Sequence, residues 1–384
     1  MIKHKRALQG ALALAVAAGA TATATAAGSA AAASAHAGDE ARLRAILQRL
    51  TTVDGGPGAL VEVRNRRGSS VLTSGVADVR SHAPVPRDSR FRIGSMTKSF
   101  TATLVLQQVA KRRVALDAPV ERYLPGVVRG PGGDGRKITV RHLLQQTSGL
   151  PDYLSYIKPQ DVLKNPLVHY EARDLLKTAL AHEPTFEEPG KGWSYSNTNY
   201  LLAGMLIEKV TRNTYGEEVK KRIIKPLNLS ETSVPGDKTT IPGPHPRGYA
   251  RPGKDAPLID VTAVNPTIGG SAGGIISSGT DLNKFFGALV GGKLLHRPEL
   301  RQMMKTRSTG STDGRAYGLG LESFPLPCGG LYWGHTGDFI GFETAAGATV
   351  NGKQVAVMVN LGPGGPDAQS DDIKAAVQTA LCDR

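Results

Sequence analysis

Three short motifs hold residues able to activate a serine hydroxyl: Ser95-Met96-Thr97-Lys98, Tyr195-Ser196-Asn197 and His335-Thr336-Gly337. A hydroxyl is a weak nucleophile until a neighbour removes its proton, so Ser95 needs a base within reach. A spacing of three puts Ser95 and Lys98 on one face of a helix. The N-terminus of that helix brings partial positive charge to the place where an oxyanion would form. Tyr195 is a phenol with an ordinary pKa near 10, which Lys98 is expected to lower, so that Tyr195 relays the serine proton to a leaving group. Asn197 is suited to orient Lys98 and a substrate amide. His335 follows a strand-like run, and Gly337 permits a substrate to lie edge-on along that backbone. A histidine here predicts a limb in the pH–rate profile near the ordinary His titration.

Two other serines compete with Ser95. Ser155-Tyr156-Ile157-Lys158 is a second S-x-x-K, but Pro159 follows at once and disfavours a helix running through the motif. Gly269-Gly270-Ser271-Ala272-Gly273 matches G-x-S-x-G, with Asp281 or Asp313 and then His335 in α/β-hydrolase order. That elbow requires parallel βα units upstream, where this chain is rich in helices, and Ile275-Ile276 reads as strand. Ser95 is therefore the expected nucleophile.

The elements that must position these residues are legible from periodicity. Residues 39–52 read as a helix with Leu43, Ile46, Leu47 and Leu50 on one face, and residues 59–64 and 70–76 as strands. A helix is expected over 95–111, and further helices over 140–146, 172–181, 199–211 and 215–224. Strands follow at 317–322, 331–333, 339–349 and 354–361, then a closing helix at 371–381, while 130–135 reads as a flexible loop. Strands near both ends with helices between predict one sheet interrupted by a helical insert. The expected division is a sheet lobe from 38–114 and 262–384, and a helical lobe from 115–261.

Composition limits the setting. Lys3, Lys5 and Arg6 precede an Ala/Leu/Val/Gly/Thr stretch that closes on Ala35-His36-Ala37, the pattern of a cleaved secretory signal over residues 1–37. A secreted, extracellular protein without a membrane anchor is expected, since no later run is long and apolar enough to span a bilayer. The formal net charge of +14 suits solubility or an anionic surface such as a cell wall. No dense Lys/Arg run with interleaved aromatics points to nucleic acid. Two cysteines in an exported chain read as one disulfide, Cys328–Cys382, pinning the last helix to the sheet. The nine histidines are scattered, no H-E-x-x-H occurs, and neither metal nor cofactor is expected.

Taken in order, the three motifs resemble those of the penicillin-recognising serine enzymes: DD-peptidases, class C β-lactamases and related esterases and amidases. The likeness is nearest to secreted actinomycete D-alanyl-D-alanine carboxypeptidases, and is carried by residues 91–109, 195–211, 271–278, 317–321 and 334–337. It implies an α/β fold of the β-lactamase/transpeptidase type, an antiparallel sheet flanked by helices with an inserted all-helical lobe. It further implies acylation of Ser95, with Lys98 and Tyr195 as the base system. Backbone N–H groups of Ser95 and Asp338 would hold the oxyanion, with Thr336 and Gly337 against the substrate. The implied substrate is a small peptide, ester or β-lactam. Carboxypeptidase action on peptidoglycan-type peptides ranks first, then esterase or D-amino-acid peptidase/amidase action, then β-lactamase action. An inactive cell-wall peptide-binding protein is the non-enzymatic alternative, against which the intact motifs argue. One departure bears on specificity. Members that trim D-alanine carry an Arg just beyond the Tyr-Gly-Leu-Gly-Leu strand, where this chain has Glu322, and Asp338 adds negative charge beyond Gly337.

Overall fold

Alternation along the strands sets the layers of the molecule. In the strand Gln354–Val359, Val355, Val357 and Val359 pack into one apolar cluster, while Ala356 and Met358 pack into another on the opposite face. Both faces of this sheet are therefore covered, as a near-continuous apolar run requires. The computed structural model describes residues 38–66, 68–253 and 255–382; the expected signal segment 1–37 lies outside them.

Residues 38–52 form helix α1. It is followed by strands β1 (Gly58–Asn65) and β2 (Gly68–Gly75). A 3₁₀ turn, Gly94–Met96, leads into helix α2 (Thr97–Ala110). A long helical region follows and includes α3 (Asn197–Thr211); α4 (Gly279–Val290) comes after it. The remaining sheet strands are β3 (Arg307–Ser308), β4 (Ala316–Tyr317), β5 (Glu322–Pro325), β6 (Leu331–Phe339), β7 (Phe342–Thr349) and β8 (Gln354–Val359). Helix α5 (Asp367–Cys382) closes the described chain.

The eight strands form one antiparallel sheet in the order β2-β1-β8-β7-β6-β5-β4-β3. Its centre joins the two ends of the chain, with Ala59 opposite Val359. Leu43, Ile46, Leu47 and Leu50 of α1 share one cluster with Ile373, Ala376 and Val377 of α5, so these two helices cover one face. Helices α2 and α4 bury the other face, where Phe100 stacks on Phe285 with ring centroids 3.7 Å apart.

Cys328, in the turn between β5 and β6, is bonded to Cys382 at the end of α5. The bridge closes a loop across a sequence separation of 54, which on loop-entropy grounds stabilises by about 4 kcal/mol. Replacing both cysteines by serine should cost about that much in urea unfolding; a loss below about 1 kcal/mol would show that the α5 packing alone fixes the helix.

Some expected boundaries shift for identifiable reasons. The single strand expected over 317–322 is two strands, β4 and β5, joined by a turn in which the Gly318 N–H donates to Leu321 O at 2.8 Å and Gly320 takes φ +71°. The strand expected over 339–349 is the end of β6, a tight connection and β7. The segment 130–135 is not an open loop, because Arg129–Gly130 pairs with Gly133–Asp134. The helix expected from Ser95 starts two residues later, after the 3₁₀ turn, and α5 starts at Asp367 rather than 371.

Candidate active site

Ser95 owes its position to a close approach of two backbones. The pairing of β6 with β5 ends at Glu322↔Gly334, so residues 335–339 of β6 present an unpaired edge on that side. The Gly94–Met96 turn lies along this edge. A Cβ on Gly337 would fall 2.1 Å from Ile93 O, and one on Gly94, whose φ is +52°, would fall 2.5 Å from Asp338 O. Both positions require glycine if Ser95 is to stand beside β6.

Around Ser95 three stretches of chain converge. Lys98 is buried and its Nζ makes three contacts: Ser95 Oγ at 3.0 Å, Asn197 Oδ1 at 2.7 Å and the carbonyl of Ala272 at 2.9 Å. Asn197 is oriented in turn, donating from Nδ2 to Asp152 Oδ2 at 2.9 Å. Burial lowers the Lys98 pKa to about 7, against the opposing pull of Asp152, Glu322 and Asp338. A neutral amine has two N–H groups and one lone pair. Asn197 Oδ1 and Ala272 O only accept, so the two N–H groups go to them and the lone pair is left facing the Ser95 hydroxyl.

Tyr195 lines the cavity together with Ser95, and Lys98 Nζ lies 4.7 Å from the centre of its ring. The expected lowering of this phenol does not occur. Desolvation pushes its pKa well above the ordinary value, with Glu322 adding to the rise and only the Ser95 contact opposing it. Tyr195 is thus a proton-bearing phenol, suited to donate.

His335 is buried inside β6 rather than after a strand. Its Nδ1 lies 2.6 Å from Thr336 O and its Nε2 3.2 Å from the Tyr317 hydroxyl. A carbonyl only accepts, so the proton sits on Nδ1, and Nε2 accepts from Tyr317. Burial lowers its pKa to about 3, with Lys98 contributing. No His limb is therefore expected between pH 5 and 8, because a pKa lowered to about 3 keeps the ring neutral throughout that range.

Ser95, Tyr195, Asn197, Thr336, Asp338 and Glu322 all line one cavity of about 690 Å³. Glu322 sits opposite Gly334 while Phe339 ends β6, so Arg315 and Glu322 charge one end of the cavity, and Tyr153, Leu154, Ile268, Ile340 and Pro363 join Phe339 in a mainly apolar lining that also holds Asp338. Gly337 lies beneath, its carbonyl accepting from Thr344 Oγ1 at 2.9 Å. Asp338 has its side chain exposed at the mouth; partial desolvation and the nearby Glu343 raise its pKa, an effect that solvent screens. Glu322 is buried, and desolvation raises it to about 7 despite Arg315 and Lys98.

The rival serines have other surroundings. Ser155 is exposed in the 3₁₀ helix Tyr153–Tyr156. Ser271 Oγ donates to Tyr200 O at 2.9 Å, Asp281 accepts from Glu231 N and Thr232 Oγ1, and Asp313 pairs with Lys374. Four participants escaped the motif reading: Asp152, the Ala272 carbonyl, Tyr317 and Arg315. Three of them lay beside residues already singled out: Ala272 next to Ser271, and Tyr317 and Arg315 five and seven positions before Glu322.

Residues 43–380 match the family model described as Beta-lactamase. Among solved structures, the chain is similar to a D-stereospecific amidohydrolase from Streptomyces sp., at 40% identity and a TM-score of 0.80 over 87% of this chain and 98% of that one. It is similar also to a D-amino acid amidase from Ochrobactrum anthropi SV3, solved with L-phenylalanine amide, at 27% identity and a TM-score of 0.75 over 89% and 99% of the two chains. Penicillin-binding protein 4* of Bacillus subtilis is 32% identical over 160 residues, 42% of this chain and 34% of that protein; the match thus spans about a third of the curated relative's length.

Proposed function

The chain belongs to the beta-lactamase family of serine hydrolases, and from that premise we propose that it cleaves amide bonds of small D-amino-acid substrates through an acyl-enzyme on Ser95. The observation that carries the reading is the buried Lys98 Nζ held 3.0 Å from Ser95 Oγ by two fixed carbonyl acceptors, a geometry that turns the lone pair of the neutral amine toward the hydroxyl. In the proposed cycle Ser95 Oγ bonds to the substrate carbonyl carbon while its proton passes to Lys98. The C–N bond then breaks, Tyr195 donates its proton to the departing amine, and Lys98 restores the proton to Tyr195. Water attacks the resulting ester by the reverse proton path and frees the acid and Ser95.

The D-amino-acid preference is supported by likeness to two D-specific amide hydrolases along nearly their full lengths. The cavity volume suits one or two residues, and its apolar end suits a hydrophobic acyl side chain. Carboxypeptidase action on a D-alanyl-D-alanine end is the second reading, and it requires the Arg315 guanidinium on the cavity wall to bind the terminal carboxylate in competition with Glu322. We place the reaction outside the cell, a setting supported by the Cys328–Cys382 bond. Among the described residues no helix is long and apolar enough to cross a membrane. The test is release of ammonia from D- and L-phenylalanine amide beside release of D-alanine from a D-Ala-D-Ala peptide. The amidase reading expects turnover of the D-amide at least about tenfold faster than the L-amide; equal rates, or D-alanine release alone, would overturn it.

A further inference from the structure

The charged end of the cavity contains an unsatisfied acceptor. Glu322 Oε2 is buried and makes no hydrogen bond, its nearest cation being Arg315 Nη1 at 3.5 Å. The other oxygen, Oε1, lies 3.4 Å from His335 Nε2. That nitrogen carries a lone pair when Nδ1 holds the proton, so it offers Oε1 no donor. A carboxylate buried with an oxygen unpaired costs stability unless something else supplies a donor. Arg315 is itself incompletely used, its Nε being buried without a partner.

This end of the cavity lies on the side of Tyr195. The Tyr195 ring faces His335 with centroids 6.4 Å apart and Tyr317 at 6.3 Å, and His335 in turn meets Glu322. Under the acyl-enzyme reading, on which this inference rests, the group that Tyr195 protonates departs toward these residues. The apolar walls at Phe339 and Ile340 then hold the acyl side chain. We infer that Glu322 determines leaving-group specificity: its unpaired oxygen accepts from an N–H of the departing group, and its pairing with Arg315 withholds from a terminal carboxylate the cation that would otherwise bind it. Arg315 does not rescue a carboxylate, because its charge is already balanced by Glu322. The site is thereby built for primary amides and amide-capped residues, and against free C-terminal acids.

The test uses two thioesters of one D-amino acid, leaving as mercaptoacetate or as mercaptoacetamide, with the matched dipeptides D-Phe-D-Ala and D-Phe-D-Ala amide. At about pH 8 the wild-type protein should prefer the uncharged leaving group in kcat/KM by at least about tenfold. Glu322→Gln should shrink that ratio about tenfold or invert it, the change residing mainly in KM for the anionic member. Arg315→Met should move the ratio the other way, so a poorly folding Glu322 variant does not stop the experiment. An unchanged ratio in both variants, or a wild-type preference for the carboxylate, overturns the inference. If the thioesters are discriminated as stated but no amide is cleaved, the amidase reading fails while the role of Glu322 stands.

Discussion

Ser95→Ala should lower kcat/KM by a factor on the order of 10⁶ and abolish covalent trapping of a β-lactam or phosphonate. The size follows from what is removed. Lys98, Asn197 and Asp152 form a relay that ends on the Ser95 hydroxyl, and with no oxygen there the relay has nothing to deprotonate. The fold should tolerate the change, since Ser95 is half-buried and its side chain fills no core position. Peptide mass mapping of the labelled protein provides the readout. Label on Ser271 or Ser155, or near-native turnover by Ser95→Ala, would refute the assignment; Ser271→Ala should leave labelling in place, because its hydroxyl is engaged with Tyr200 O.

Lys98→Met should reduce acylation by a factor on the order of 10³–10⁴, the range for a positioned general base. Methionine nearly matches the volume of the buried stem, so the loss reports the amine rather than a cavity. The same amine should set the pH profile. Lys98 acts in its deprotonated form, and its pKa is lowered to about 7, so kcat/KM should climb as pH rises through about 7 and level off above. Desolvation raises Glu322 to about 7 as well, so the limb is best measured in Glu322→Gln, where it should persist, and in the Glu322→Gln, Lys98→Met double variant, where it should vanish. His335 adds nothing between pH 5 and 8, because its pKa is lowered to about 3. A flat profile in Glu322→Gln would show that Lys98 is not the titrating base.

The parts of this arrangement that depend on near neighbours in the chain were open to reading in advance. Ser95 and Lys98 share a turn, so three-residue spacing alone predicts their contact. The apolar run at 354–361 and the amphipathic face of 39–52 predict a sheet strand and one of the helices that cover it. What escaped is what folding assembles from distant segments. Nothing in residues 150–152 announces that Asp152 will hold the Asn197 amide, and no side-chain pattern reveals the Ala272 carbonyl as an acceptor. The direction of two pKa shifts was missed for the same reason. Tyr195 and His335 lie near a lysine, but burial acts more strongly than that charge: it raises the phenol and, with the lysine's help, keeps the imidazole neutral. Arg315 was hidden by the turn at 318–321, which folds what looks like one continuous strand into two.

The pairing of β1 with β8 has a consequence for the order of events in folding. Ala59 meets Val359 only after nearly the whole described chain is available, whereas every other pairing in the sheet joins strands adjacent in sequence. A closure across that separation forms slowly, and the unpaired edges of β1 and β8 are open to aggregation until it does. The cavity depends on the same closure, because β6 reaches Ser95 only as part of the late strands. Catalytic competence should therefore arrive last. A partly folded chain would carry Ser95, Lys98 and Tyr195 without the wall that turns them into a site, and so could not acylate itself or anything else prematurely.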